Sequence, residues 1–321
     1  MLSTGRGPGV KNPGEEGVMK LAAFGFAVLL GAGSGFAASE DLNGAFQEFK
    51  QVQALNDSAK LKESAIATYA LARKVAEATA PEDVDKDAFA TTVANGKAVE
   101  LYIEYALLAA AVQGPAATTV DLLSTLEQQN PKSKYLGENY GLYLEALRKT
   151  GATSKMQAVA EKGLSNFPEN EDLLLWLADT AYSHKQAARS LGYSKRLIAV
   201  LNKRSKPESV SAADWERKRT AALGHAYFLA GSALSDQGQY QEADKNLRAA
   251  LPLAKGNDVL RAQVLYLLGV ANYQFGLMTN NKAMVVEAVK FSKQAAEIPG
   301  PTQQNAEHNA YVMEQQTYKM R

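Results

Sequence analysis

Helix-breaking residues recur along this chain at a fixed interval, and that interval restricts the fold more than any other feature. Gly114 precedes Pro131 by 17 residues, Gly151 precedes Pro168 by 17, and the second pair follows the first by 37. A period of this size means a repeated helix–turn–helix unit, because one helix pair cannot bury its own apolar face and must stack on a neighbour. Between the breakers, apolar residues return at three- and four-residue steps, as in Leu42, Phe46, Phe49, Val52 and Leu55. That is the spacing of a one-sided helix. The same reading predicts helices over Leu61–Ala78, Ala88–Val112, Val120–Gln128, Glu138–Lys149, Lys155–Ser165 and Glu171–Lys185. A chain of 321 residues exceeds the usual single core, and with only ten prolines it favours a helical array.

The repeat is clearest in Tyr227, Ala230, Gly231, Leu234, Gly238, Tyr240, Ala243, Leu247 and Ala250. Small residues there let two helices cross closely, and aromatics fill the space beside the crossing. This pattern resembles the tetratricopeptide repeat. Leu265, Leu268, Gly269, Ala271, Gly276, Ala288, Phe291 and Ala295 repeat it, with a longer turn from Gly276 to Lys282. Tyr140, Gly151 and Pro168 match in an earlier unit, where Met156 and Gly163 replace the family's alanines. The unit around Leu173, Leu177, Ala178 and Tyr182 reads as having an irregular second helix.

The resemblance implies an all-α fold, a right-handed superhelical solenoid of antiparallel helix pairs. Its parts are divergent N-terminal helices over 38–96, repeats over 97–202, a linker over 203–211, repeats over 212–299 and a capping helix within 300–321. Ser211-Ala-Ala-Asp214, followed by Trp215, reads as a helix-starting cap after the linker.

The N-terminus points to export. Met19-Lys20 precedes the apolar run Leu21–Ala32 and then Gly33-Ser34-Gly35-Phe36-Ala37, a basic start, a hydrophobic region and a small-x-small cleavage site. Cleavage after Ala37 is expected, with a periplasmic location if the source is bacterial; retention of the segment would instead anchor the chain in the membrane. Residues 1–18, rich in Gly and polar groups, do not fit a signal segment, and the expected start is Met19.

Composition excludes several function classes. Removing 1–37 leaves 32 bases and 32 acids, from 35 and 34, so the mature chain has no general attraction to nucleic acid or anionic lipid. With no cysteine there is no disulfide, thiolate catalysis or zinc–thiolate site. His184, His225 and His308 have no His or Cys at metal spacing. Gly31-Ala-Gly33-Ser-Gly35 follows no strand and lies in the signal segment, so it is no nucleotide loop. The basic stretch Lys195, Arg196, Lys203, Arg204, Lys206, Arg217, Lys218 and Arg219 reads as solvated helix faces and linker. No catalytic residue and no cofactor are expected.

What remains is the groove that the resemblance implies, lined by the first helix of each pair. Aligning the units projects onto it Leu101, Glu104 and Leu108; Glu138, Gly141 and Glu145; Asp172, Leu175 and Asp179; His225, Phe228 and Ser232; Gln263, Tyr266 and Val270. None is Lys, Arg or Asn, so the family's best-known clamp for a terminal carboxylate is missing. Glu104, Glu138, Glu145, Asp172 and Asp179 suggest a basic segment of a partner protein or peptide, anchored apolarly at Leu101, Leu108, Leu175, Phe228 and Tyr266. The expected function is an exported protein-binding scaffold, with neither nucleic acid nor a lasting membrane span. The rival is an accessory or catalytic subunit of an envelope enzyme acting on glycan or peptide.

Overall fold

The computed structural model describes residues 37–206 and 210–320, and every element found there is helical. In chain order the helices are α1 (Ala37–Ala54), α2 (Ser58–Ala76), α3 (Lys86–Gln113), α4 (Ala116–Gln129), the one-turn α5 (Lys134–Gly137), α6 (Tyr140–Lys149), α7 (Thr153–Asn166), α8 (Glu171–Ser183), α9 (Ala187–Lys203), α10 (Ala212–Asp236), α11 (Tyr240–Leu253), α12 (Asp258–Met278), α13 (Lys282–Ala296) and α14 (Gln303–Lys319). Residues 1–36, which carry the signal segment up to its last residue, lie outside the described residues, as do 207–209 of the linker.

Consecutive helices pack on each other, and alternate helices also touch: α6 with α8, α8 with α10, α10 with α12, and α12 with α14. Contact between alternate helices is what stacking of successive pairs requires. The buried core follows the chain in two large clusters, one from Leu42 to Ala226 and one from Ala178 to Ala306, with a small third of Ala288, Val289 and Met313. Leu175, Tyr193 and Tyr227 pack against both large clusters, so those two are continuous.

The turn inside a pair is built the same way four times. Gly151, Lys185, Gly238 and Asn280 each take a positive φ, between 49° and 73°. The amide of the following residue then reaches back to a carbonyl in the last turn of the first helix: Ala152 to Leu147 at 2.9 Å, Gln186 to Ala181 at 2.8 Å, Gln239 to Leu234 at 2.9 Å and Asn281 to Gly276 at 2.7 Å. This left-handed closure satisfies carbonyls that a helix end would otherwise leave unpaired. Lys185 follows Gly151 by 34 residues, Gly238 follows Lys185 by 53, and Asn280 follows Gly238 by 42.

Two expectations are corrected. The stretch from Gly276 to Lys282 is not a long turn, because α12 continues to Met278 and only 279–281 make the connection. Gly276 remains helical because Val285 and Asn281 press on it, where a Cβ would lie 2.8 Å from Val285 Cγ2. The second helix after Tyr182 is regular, a 17-residue α9 that buries Ser190, Ser194, Leu197 and Leu201 on one face. Its small serines sit on the buried face. The cap at Ser211 forms as expected, with its hydroxyl accepting from the Asp214 amide at 3.1 Å and Trp215 buried behind it.

The crossings at Gly231 and Gly269 are tight. A Cβ on Gly231 would lie 2.6 Å from Leu247 Cγ and 3.3 Å from the Ala243 carbonyl; one on Gly269 would collide with the Ser292 hydroxyl. Both glycines let a first helix settle on its own second helix.

Candidate binding cleft

A cleft opens between α8, the first half of α10 and the α11–α12 turn. Asn170 starts α8, its side-chain oxygen accepting from the Leu173 amide at 2.9 Å. Glu171 and Asp172 follow in the first turn, where the helix dipole favours acids. α10 runs for 25 residues against 13 in α8, and its residues from Ala213 to His225 form the facing wall. The cleft encloses about 750 Å³, the size of a small-ligand or side-chain pocket. Leu175, Ala222, Leu253 and Leu260 give it an apolar floor, and Glu171, Asp172, Glu216, Arg217, Lys218 and Lys255 surround that floor.

The charges here largely satisfy one another. Lys218 Nζ lies 2.8 Å from Glu171 and 3.5 Å from Asp172, and Glu171 also meets Arg204 at 3.4 Å. Burial disfavours the Lys218 ammonium, but the hydrogen bond it donates to Glu171 and the charges of both carboxylates outweigh it and raise its pKa. On the neighbouring turn His225 Nε2 is 2.7 Å from Asp179, joining α10 to α8, and its ring meets Phe228 edge-on. Arg196 donates to the Pro168 carbonyl, Arg219 to Leu201, and Arg217 pairs with Asp214. Much of the basic stretch therefore ties α8, α9 and α10 together.

The structure brings some of the projected residues together and disperses others. Asp172, Leu175 and His225 line the cleft, and Asp179 contacts His225. A Cβ on Gly141 would meet the Asp172 carboxylate at 2.9 Å, so α6 and α8 approach there. Leu101, Leu108 and Tyr266 are half-buried, while Glu138 is exposed just after α5. Glu145 stands on α6, where Arg148 holds it in two 2.7 Å hydrogen bonds that bring its pKa down to about 2.

Glu104 and Phe228 are internal, each 4% exposed, and neither forms part of an open surface. Phe228 is covered by the rings of Tyr182 and His225. Glu104 is enclosed between α2, α3 and the end of α4, accepting from the Tyr69 hydroxyl at 3.1 Å and Asn130 Nδ2 at 2.8 Å. Arg73 extends the network, donating to Tyr69 and to Glu100. Burial, then Glu104 and Glu100, push the Tyr69 hydroxyl well above the usual range. A second network of this kind joins the Tyr140 hydroxyl to buried Glu127, 3.4 Å away, and Glu127 to Lys162 at 3.3 Å.

Sequence reasoning missed both networks. The available signal was a carboxylate inside an apolar run, as in Val99-Glu-Leu-Tyr-Ile-Glu-Tyr-Ala-Leu-Leu, because a buried acid needs a partner. Among the described residues, no three His, Asp or Glu side chains stand close enough to hold a metal ion. No helix there is long and apolar enough to cross a membrane. No protein-family model matches this sequence, and no curated protein is similar enough to serve as a relative.

Proposed function

We propose that this chain is an exported protein-binding scaffold, a right-handed tetratricopeptide-like solenoid whose first-helix face holds a partner protein or peptide. The observation that carries this reading is the cleft between α8 and α10, with an apolar floor inside a charged rim. A binding site of this make-up draws affinity from an apolar anchor entering the floor, and orientation from the polar rim. The row of touching first helices α6, α8, α10 and α12 supports an extended partner track on either side of it.

The electrostatics refine the partner's chemistry. Lys218 and Arg148 already neutralise Asp172 and Glu145, and His225 engages Asp179 in a 2.7 Å hydrogen bond. Basic residues of a partner therefore act as weak guides, worth roughly 0.2–1 kcal/mol per exposed pair, and the apolar anchor dominates. Export rests on the segment from Met19 to Ala37, and N-terminal sequencing of the secreted or periplasmic chain tests it; a mature protein beginning before Leu21 would contradict it.

The cleft is tested by filling it. Ala221 lines the cleft and is exposed, so Ala221→Trp occupies the space without disturbing the core. The expected result is unchanged helicity and melting, with loss of the protein that the tagged wild-type chain captures from its native envelope. Equal capture by the filled variant would rule the cleft out.

A further inference from the structure

α14 buries only one of its faces. Ala306, Ala310 and Met313 pack inward toward α13 and α12, and Lys282 donates to the Met320 carbonyl at 2.8 Å. On the opposite side Tyr311 is 64% and Tyr318 76% exposed, with Val312 beside them at 41%. Seven residues separate the tyrosines, so they stand two helical turns apart on one stripe. No element among the described residues covers them. An outer helix that faces only water is expected to be polar throughout, and this one is not.

The charges on this face are divided along the helix. Glu307 lies in the first half and Lys319 in the last turn, and neither makes an ion pair among the described residues. The remaining acid, Glu314, is taken by Lys293 at 3.0 Å. The stripe thus carries an acid in its first half and a base in its last turn, with Tyr311 at its middle and Tyr318 next to the base.

We propose that this face is a self-association surface, on which α14 of one copy packs antiparallel to α14 of a second copy. The charge division selects the direction: a parallel arrangement would set Glu307 near Glu307 and Lys319 near Lys319. The antiparallel one sets the acid of each copy on the base of the other and opposes the helix dipoles. With the two-fold axis at the level of Met313, Tyr318 of one copy reaches the level of His308 in the other, and Tyr311 that of Gln315. The contact is isologous and closes on itself. A 17-residue helix spans about 25 Å, which places the interface at the small end of specific contacts, so the dimer dissociates on dilution. An anionic lipid surface fits less well, since Glu307 would be repelled and the stripe otherwise carries Gln304, His308 and Gln315. This surface is separate from the cleft, and neither reading depends on the other.

Sedimentation equilibrium of the full chain over a wide concentration range tests the proposal. The expected result is a reversible monomer–dimer equilibrium. Tyr311→Glu combined with Tyr318→Glu should leave the helical circular dichroism unchanged and weaken association by at least about tenfold. Glu307→Lys alone should weaken it roughly two- to fivefold at low salt, and adding Lys319→Glu should recover the lost affinity. A monomer at every concentration, or an unaltered dissociation constant in the double tyrosine variant, overturns the proposal. Failure of the second charge reversal to recover affinity overturns the antiparallel arrangement.

Discussion

Leucine placed at Gly231 should destabilise the protein far more than leucine placed at Gly192. Both glycines sit within helices, α10 and α9, so the gain in helix propensity on replacing Gly is the same, about 0.8 kcal/mol, and cancels in the comparison. What differs is space. At Gly192 nothing lies within 4 Å of the added Cβ, whereas at Gly231 it would lie 2.6 Å from Leu247 Cγ and 2.8 Å from its Cδ2. Leu247 is fully buried and cannot swing into solvent, and the Ala243 carbonyl blocks the other side at 3.3 Å. Overpacking of this kind costs about 1–3 kcal/mol, and three further carbons in the same gap put leucine at the top of that range. At about 2–4 °C per kcal/mol, Gly231→Leu should melt some 6–12 °C below Gly192→Leu, which itself should melt at or slightly above the wild type. Thermal unfolding followed by circular dichroism gives both midpoints. Equal midpoints for the two variants would show that α10 and α11 do not cross at Gly231.

Glu104→Ala leaves the Tyr69 hydroxyl and the Asn130 amide without their acceptor in the interior and should cost about 1–3 kcal/mol in urea unfolding. Asn281→Ala removes the side-chain acceptor for the Ala283 and Met284 amides, and a loss of about 1 kcal/mol is expected by the same measurement. Alkali should act through the buried tyrosines. Burial and Glu127 push the Tyr143 hydroxyl up to about 12 from its ordinary 10, and Tyr69 and Tyr140 are raised too. Since the folded value is the higher one, their contribution is complete below pH 10 and is lost as pH rises from 10 through 12. Tyrosinate absorbance should therefore show these three ionising only together with loss of helicity; their ionisation in a still-helical protein would refute this.

The helical character of the chain was legible from spacing alone, because Gly151, Pro168 and the small–aromatic run from Tyr227 to Ala250 mark turns and crossings by residue type. One of the four left-handed turns was not legible. Lys185 takes the same conformation as Gly151, Gly238 and Asn280, yet lysine carries no turn signature, and the hydrogen bond that closes the turn is made by backbone. The continuation of α12 past Gly276 was hidden for a related reason, since glycine there serves close packing against Val285 rather than chain reversal.

Of the projected residues, Asp172, Leu175 and His225 line one opening. Projection by repeat position, however, assumes that every first helix is uncovered on the same side, and α3 departs from that. The α2 helix and the end of α4 close over Glu104 through Tyr69 and Asn130. Lys218 read as part of a solvated basic stretch because its pairing is with the acids of α8, 46 and 47 residues earlier, which no local pattern displays.

The central claim is that a partner lies on the first-helix face, over the cleft, and not on the second-helix face. Site-specific photo-crosslinking in the native envelope measures this directly. A photoreactive residue replaces Ala221 in the cleft wall of α10 in one version and exposed Lys195 on α9 in the other. The account expects a discrete crosslinked partner from position 221 and none of that mass from position 195. The same partner crosslinking from position 195 with none from 221, or no crosslink from 221 under conditions where the partner is captured, would contradict it.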